Sequence, residues 1–114
     1  MGTTQKNTIL KDFIEIICNR EKIYLNTNCI VYIERVNRKV QIVCENERYL
    51  IYDSLNNIEE KLPSDFIRCH IGYIVNSRFI NSIGNKSIKI YNGEEISLGR
   101  AYKSKISAML NQEG

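Results

Sequence analysis

The residues whose types and spacing could do chemistry are basic, and they fall into three segments without an acidic residue. These segments are 35–39 with Arg35, Arg38 and Lys39, 66–83 with Arg68, His70 and Arg78, and 96–110 with Arg100, Lys103 and Lys105. Lysine and arginine neutralise phosphates, and an arginine fork can donate twice to guanine. The clusters therefore favour a surface that faces a nucleic acid, although an ordinary solvated surface can show the same pattern.

The overall charge balance is much weaker evidence than this clustering. The 114 residues include 16 lysines and arginines against 13 acids, for a net charge of +3. The acids gather elsewhere, in pairs such as Glu45 and Glu47 or Glu94 and Glu95. Such a mild excess of positive charge does not by itself indicate a partner.

Sequence patterns of enzymes and metal sites are absent. There is no P-loop, dinucleotide-binding glycine motif, nucleophile elbow or H-E-x-x-H motif. The single histidine, His70, follows Cys69, and neighbours on a strand point to opposite faces, so the two make a poor catalytic pair. We expect no enzyme, cofactor or metal, and a zinc site assembled from dispersed strands is the weaker alternative.

The four cysteines have no C-x-x-C spacing. Small, buried and reduced thiols of a cytoplasmic protein explain them best. Cys69 borders a basic stretch, so it is the thiol whose ionised form the surroundings could stabilise.

Export and membrane insertion are not expected. The longest apolar run, Cys29–Ile33, falls far short of the roughly 20 residues of a membrane span. The polar N-terminus lacks the apolar stretch of a signal peptide. We therefore predict a cytoplasmic protein with a linker or tail over residues 1–11 and one domain over residues 12–110.

Alternating apolar and polar residues predict a mostly β fold. We expect seven to ten short antiparallel strands in small sheets and hairpins, with one or two short helices. Leu55, Ile58 and Leu62 form a helical stripe, which Asp53 or Ser54 can cap. A second stripe runs from Tyr102 to Leu110.

Two finer expectations concern turns and tyrosines. Asn92-Gly93 between two strands predicts a type I′ hairpin turn, which needs positive φ at both residues. The strand spacing of several tyrosines favours packing in the core and on sheet faces over a base-stacking platform. These tyrosines are Tyr49, Tyr52, Tyr73 and Tyr91.

Residues 66–76 carry a resemblance to a known family. Their pattern, F-I-R-C-H-I-G-Y-I-V-N, resembles the F-x-R-x-H-x-S-aromatic-x-V-N signature of the LytTR family of bacterial DNA-binding domains. Upstream, residues 30–34 resemble the family's I-x-(Y/F)-(I/F)-E segment. Downstream, residues 88–102 resemble its closing hairpin, which ends in S-R-x-Y. The ordered set covers about residues 12–107.

The resemblance implies a fold and a mode of DNA binding. The fold would be an elongated arrangement of small antiparallel sheets with a short helix, and loops at one edge would enter successive major grooves. Two copies would bind tandem half-sites of double-stranded DNA. The implied DNA-binding residues are Arg38, Lys39, His70, Ile71, Gly72, Arg100 and Lys103.

The resemblance also implies individual roles. Arg38 or Lys39 would supply a side chain to the major groove, and Arg100 would read guanine through its paired donors. Lys103 would contact phosphate. Arg68 has two open interpretations, which are an ion pair with an acid such as Glu34 and a phosphate contact.

This sequence departs from the family pattern at three positions. Ile71 stands where a polar or basic residue is usual, and it could touch a thymine methyl or bury itself. Gly72 and Gly99 each stand where serine is usual. These changes affect the affinity and base preference more than the fold.

Three functions remain open from the sequence. The first is sequence-specific binding of double-stranded DNA by a bacterial transcription regulator. That regulator would be a stand-alone protein or the effector domain of a two-component response regulator, with a receiver domain or sensor as partner. The second is a protein-binding β module that modulates a DNA-binding relative without itself binding DNA. The third is single-strand binding, which would need exposed aromatics along a basic groove.

Overall fold

The computed structural model describes residues 12–111 and confirms the mostly β fold. The predicted tail, residues 1–11, lies outside the described residues. Ten strands and two helices follow in the order β1 (Phe13–Cys18), β2 (Glu21–Asn26), β3 (Ile30–Val36), β4 (Lys39–Cys44), β5 (Arg48–Ile51), α1 (Leu55–Lys61), β6 (Phe66–His70), β7 (Tyr73–Asn76), β8 (Ile80–Ile83), β9 (Ser87–Ile90), β10 (Glu95–Ser97) and α2 (Arg100–Asn111).

The strands form three antiparallel sheets. The central sheet has five strands in the order β5-β4-β3-β7-β6, so β3 lies in its middle. The β1–β2 hairpin forms a second sheet, and β8, β9 and β10 form a third. Short hairpins make nearly all of these connections, as the alternating pattern predicts.

The central sheet is covered on both faces, which explains the apolar run at the start of β3. On one face, Ile33 packs with the β1–β2 hairpin and with α1. On the other face, Tyr32 packs with the third sheet and α2. Consecutive strand residues point to opposite faces, so a strand buried on both sides must be apolar at every position.

Both helices are held by apolar side chains at helical spacing. Ser54 caps α1, because its hydroxyl accepts a hydrogen bond from the Asn57 amide at 3.1 Å. Leu55 and Ile58 are the buried residues of α1. In α2, Ile106 is fully buried against the third sheet.

The Asn92-Gly93 turn differs from our prediction. Gly93 has a φ of 97°, but Asn92 does not have positive φ, so the turn is not type I′. The Gly93 amide instead donates to the Ile90 carbonyl at 2.9 Å, and Ile90 pairs with Glu94. The result is a three-residue loop in which Gly93 forms the bulge. The Asn92 side chain stabilises it by accepting from the Glu94 amide at 2.9 Å.

The hairpin turn with two positive φ values lies elsewhere, at Asn19 and Arg20 between β1 and β2. Asparagine tolerates this conformation, but arginine seldom adopts it. The sequence pattern does not predict this turn, because the turn contains no glycine.

The tyrosine prediction is wrong for two residues. Tyr49 and Tyr73 are half-buried, but Tyr52 is 81% exposed and Tyr91 is 68% exposed. Each of these two lies just beyond the last residue of its strand, where no second layer covers the chain.

The Asn92→Gly variant distinguishes the two turn types. In a type I′ turn, Asn92 would have a positive φ, and glycine would remove the strain of that conformation and leave stability unchanged or higher. Here the change removes the Asn92 side-chain bonds and adds backbone freedom, so we expect a loss of about 1 kcal/mol in the free energy of unfolding. Asn19→Gly, where φ is 53°, is the matched control and should be neutral or stabilising. Urea unfolding of both variants gives the comparison, and a stabilised Asn92→Gly would contradict the observed turn.

Candidate nucleic-acid interface

The three basic segments meet at one end of the central sheet. The β3–β4 turn and the β6–β7 turn are adjacent there, because the Arg35 amide donates to the Gly72 carbonyl at 2.9 Å. The start of α2 joins them, since the Gly99 amide donates to the Cys69 carbonyl at 2.8 Å. Backbone hydrogen bonds therefore assemble segments that lie about 30 residues apart in the sequence.

An open cavity of about 520 Å³ lies between these elements. Arg35 and Arg38 line it from the β3–β4 hairpin, and Arg68 and Ile71 line it from β6 and the β6–β7 turn. The lining is completed by Asn37, Lys39, Asp53, the N-terminal end of α1 and Tyr102 of α2. The cavity is concave and rich in arginine, as a phosphate-facing surface requires.

Charge is segregated along the strands. Arg35 and Arg38 lie at the end with the cavity, whereas Glu45 and Glu47 lie in the β4–β5 turn at the opposite end. Glu94 belongs to that opposite end as well, because it pairs with Arg48 at 3.1 Å. The field of the molecule therefore favours approach of a polyanion from the end with the cavity.

Most cations at this end keep their charge available. Within residues 12–111, no carboxylate forms an ion pair with Arg35, Arg38, Arg100 or Lys103. Arg35, Arg38 and Arg100 are exposed. They can bind an external anion without first breaking a salt bridge.

Arg68 is the exception, and it acts inside the protein. Its guanidinium pairs with Glu59 of α1 at 2.9 Å and also donates to Asn56 at 3.1 Å. It donates in addition to the carbonyls of His70 at 3.0 Å and Ile71 at 2.6 Å. The ion-pair interpretation is therefore correct, but the partner is Glu59 and not Glu34. Arg68 ties the β6–β7 turn to α1.

His70 also stabilises the turn, and its remaining nitrogen is a defined donor. Nδ1 accepts a hydrogen bond from the Gly72 amide at 2.9 Å. In the neutral imidazole the proton then lies on Nε2. His70 can consequently offer a donor to phosphate or to a base acceptor, but it cannot accept from a cytosine amino group.

Ile71 and Gly72 lie at the tip of the β6–β7 turn. Ile71 is 58% exposed, so it does not bury itself, and it remains able to touch a thymine methyl. A Cβ at Gly72 would have only an ordinary contact, 3.6 Å from His70 Nδ1, so the usual serine would fit here. A Cβ at Gly99 would lie 3.0 Å from the Tyr102 ring, which is tight.

The structure separates the two candidates of the β3–β4 turn. Asn37 and Arg38 form the tip, and both are exposed. Lys39 is the first residue of β4, and its Nζ lies 4.4 Å from the centre of the Tyr52 ring. Arg38 is thus the freer side chain for a base contact. Arg35 and Asn37 were not among the predicted DNA-binding residues, although the acid-free segment contains both.

Arg100 and Lys103 lie in the first turn of α2. This turn has no acidic residue, and cations at a helix N-terminus oppose the helix dipole. Lys103 donates to the Asn85 side chain at 2.7 Å, which directs its charge toward the β8–β9 turn. A bound anion would relieve the unfavourable electrostatics of this turn.

Cys69 contradicts our expectation of a stabilised thiolate. Its side chain is fully buried, and burial raises the pKa of the Cys69 thiol to about 12. The nearby Arg68 lowers this pKa, but less than burial raises it. The basic stretch is adjacent only in sequence, since Cys69 points into the core.

Residues 12–111 contain no group of three or more His, Cys, Asp or Glu side chains that could hold a metal ion. In that same part of the chain, neither helix is long and apolar enough to cross a membrane.

Comparison with known proteins decides the family. The family model of the LytTr DNA-binding domain matches residues 20–111. The chain belongs to the LytTR family. LytTR domains bind DNA in transcription regulation and are not a family of enzymes. The family resemblance of residues 66–76 and its flanking segments is confirmed.

Individual relatives agree with LytTR membership. The sensory transduction protein LytT of Bacillus subtilis (strain 168) is 30% identical over 95 residues, which cover 78% of this chain and 39% of that protein. LytT of Bacillus anthracis is 30% identical over 94 residues, which cover 77% and 38%. The chain thus spans about two fifths of the length of these relatives.

A solved LytTR structure agrees with the fold. It is a LytTr DNA-binding domain from Bacillus cereus, from a protein described as a methyl-accepting/DNA response regulator. The TM-score is 0.74 at 26% identity, and the match covers 87% of this chain and 96% of that one.

Arg68→Lys tests the role of Arg68 in the β6–β7 turn. A lysine ammonium cannot reach four acceptors in two directions, so we expect a loss of about 1–3 kcal/mol in the free energy of unfolding. Arg78→Lys is the matched control, because Arg78 is 62% exposed in its pair with Asp65 and should change stability by less than about 0.5 kcal/mol. Urea unfolding measures both, and equal effects would refute the assigned role.

Alkylation tests the environment of Cys69. Because its thiol is buried and its pKa is about 12, iodoacetamide should modify it only on unfolding, even at mildly alkaline pH. The exposed Cys29 should react first. Mass spectrometry of peptides over a time course gives the order, and early modification of Cys69 would show that the site opens.

Proposed function

We propose that this chain binds double-stranded DNA sequence-specifically in bacterial transcription regulation, with residues 12–110 as the binding domain. It would serve as the effector domain of a response regulator or as a stand-alone regulator. Two copies would occupy tandem half-sites. The observation that carries the proposal is the meeting of three basic segments at one end of the sheet, with four cations that no described carboxylate neutralises.

The shape of this end supports loop insertion into a major groove. A two-stranded β-ribbon fits the major groove, and the β3–β4 hairpin is such a ribbon with Asn37 and Arg38 at its tip. Arg38 would donate to guanine O6 and N7. The β6–β7 turn would present Ile71 and the Nε2–H of His70 beside it.

The start of α2 would make the second contact. Arg100 is exposed, and it would read guanine in the next groove. Lys103 would contact the phosphate backbone, together with the positive end of the helix dipole. Gly72 would let the turn approach the DNA closely.

The regulatory setting rests on the relatives. LytT is described as a sensory transduction protein, and this chain matches 39% of the length of the Bacillus subtilis protein and 38% of that of Bacillus anthracis. The remaining length in those relatives leaves room for a receiver or sensor partner domain. We propose that this chain, where it serves as an effector domain, works with such a receiver or sensor domain.

Duplex binding by arginine variants tests the proposal. Fluorescence anisotropy with a duplex selected from a random pool should show that Arg38→Ala and Arg100→Ala each lose about 1–3 kcal/mol of binding free energy. Lys61→Ala is the control, since Lys61 lies at the far end of α1 and should bind as wild type does.

Salt dependence provides the second measurement. The logarithm of the wild-type affinity should fall linearly with the logarithm of salt concentration, with a slope of about −0.9 per phosphate contacted. A wild-type chain that does not bind duplex at low salt would overturn the proposal and favour a protein-binding module instead.

A further inference from the structure

We propose that Lys39 and Tyr52 form a second, phosphate-contacting unit in a neighbouring cleft of the β3–β4 hairpin, with Lys39 lying between that cleft and the cavity. Lys39 is the contacting residue, and Tyr52 is the residue that positions it. The inference rests on the proposed DNA binding and assigns distinct roles to Arg38 and Lys39, which the sequence left as alternatives.

The strand register places the unit on its own face. Arg35 pairs with Val40, and Val40 pairs in turn with Ile51, so these side chains share one face of the central sheet. Lys39 pairs with Val36, and both lie on the other face. Tyr52 follows Ile51 and therefore lies on the same face as Lys39.

A cation–π contact holds the lysine in place. Lys39 Nζ lies 4.4 Å from the Tyr52 ring centre, within the range of this interaction. Tyr52 is 81% exposed and contributes to neither core cluster among the described residues. The contact with Lys39 therefore accounts for the position of the Tyr52 ring better than packing does.

The neighbouring acids are already occupied. Asp53 accepts from the Ser54 amide at 2.8 Å and from the Asn57 side chain at 3.1 Å, so it serves the start of α1. Glu34 lies on the face of Lys39, but the strand register places it directly across from Tyr73 of β7. No ion pair to Lys39 occurs in residues 12–111, which leaves its charge for an external anion.

The geometry of the major groove gives this unit a ligand. The groove is about 12 Å wide, and phosphates line both of its walls. A hairpin inserted by its tip therefore faces phosphates on both sides. Arg38 at the tip would reach the base edges, while Lys39 would meet one wall as a point charge.

Three single variants and a control test the unit by anisotropy with random-sequence duplex over a series of salt concentrations. Lys39→Ala should make the salt slope shallower by about 0.9, the loss of one phosphate contact. Tyr52→Ala should weaken binding about two- to fivefold, which matches an exposed cation–π contact. Tyr52→Phe keeps the ring and should bind as wild type does. Tyr91→Ala removes a comparably exposed tyrosine at the other end and should have no effect.

The double variant separates positioning from independent contact. If Tyr52 acts through Lys39, then Tyr52→Ala in the Lys39→Ala background should cause no further loss. Additive losses, an unchanged Tyr52→Ala variant or a Tyr52→Phe variant as weak as Tyr52→Ala would each overturn the inference. A wild-type chain without duplex binding would instead overturn the proposed function, so the two failures are distinguishable.

Discussion

The hydrogen bonds of Arg68 are the constraint on which the arrangement of the basic segments depends. One guanidinium joins the side chains of Glu59 and Asn56 on α1 to the carbonyls of the β6–β7 turn. That turn is the common neighbour of the β3–β4 hairpin and the start of α2. Because Arg68 is only 15% exposed, its charge needs these partners, and the observed position of the turn supplies two of them.

The separation of charge follows from the same architecture. Antiparallel hairpins place alternate turns at opposite ends of a sheet, so a short stretch of sequence can contribute to either end. Here the β3–β4 and β6–β7 turns carry cations, and the β4–β5 turn carries Glu45 and Glu47. The molecule therefore meets a polyanion with one end and repels it with the other, which orients the domain before any base is contacted.

Particular residues show where sequence reasoning succeeded and where it failed. The helix over Leu55–Lys61 and its Ser54 cap were predictable because side-chain period and capping are local properties. The predicted type of the Asn92-Gly93 turn was wrong because the turn type depends on the register of β9 and β10. The predicted thiolate of Cys69 and the predicted packing of Tyr52 were wrong because burial depends on which elements lie against a strand. The ion-pair interpretation of Arg68 is confirmed, but its partner Glu59 was not predicted, since that contact is fixed only by packing.

The sequence by itself determined the family, the mostly β composition and the three acid-free basic segments, because motifs, periodicity and charge can be read along the chain. Tertiary structure alone decided that these segments meet at one end of the sheet, and that Arg68 binds inward while Arg38 and Arg100 stay exposed. It also decided that Lys39 faces Tyr52. The physical reason is that strand register and the packing of helices on sheets are contacts between distant residues, and no local pattern encodes them.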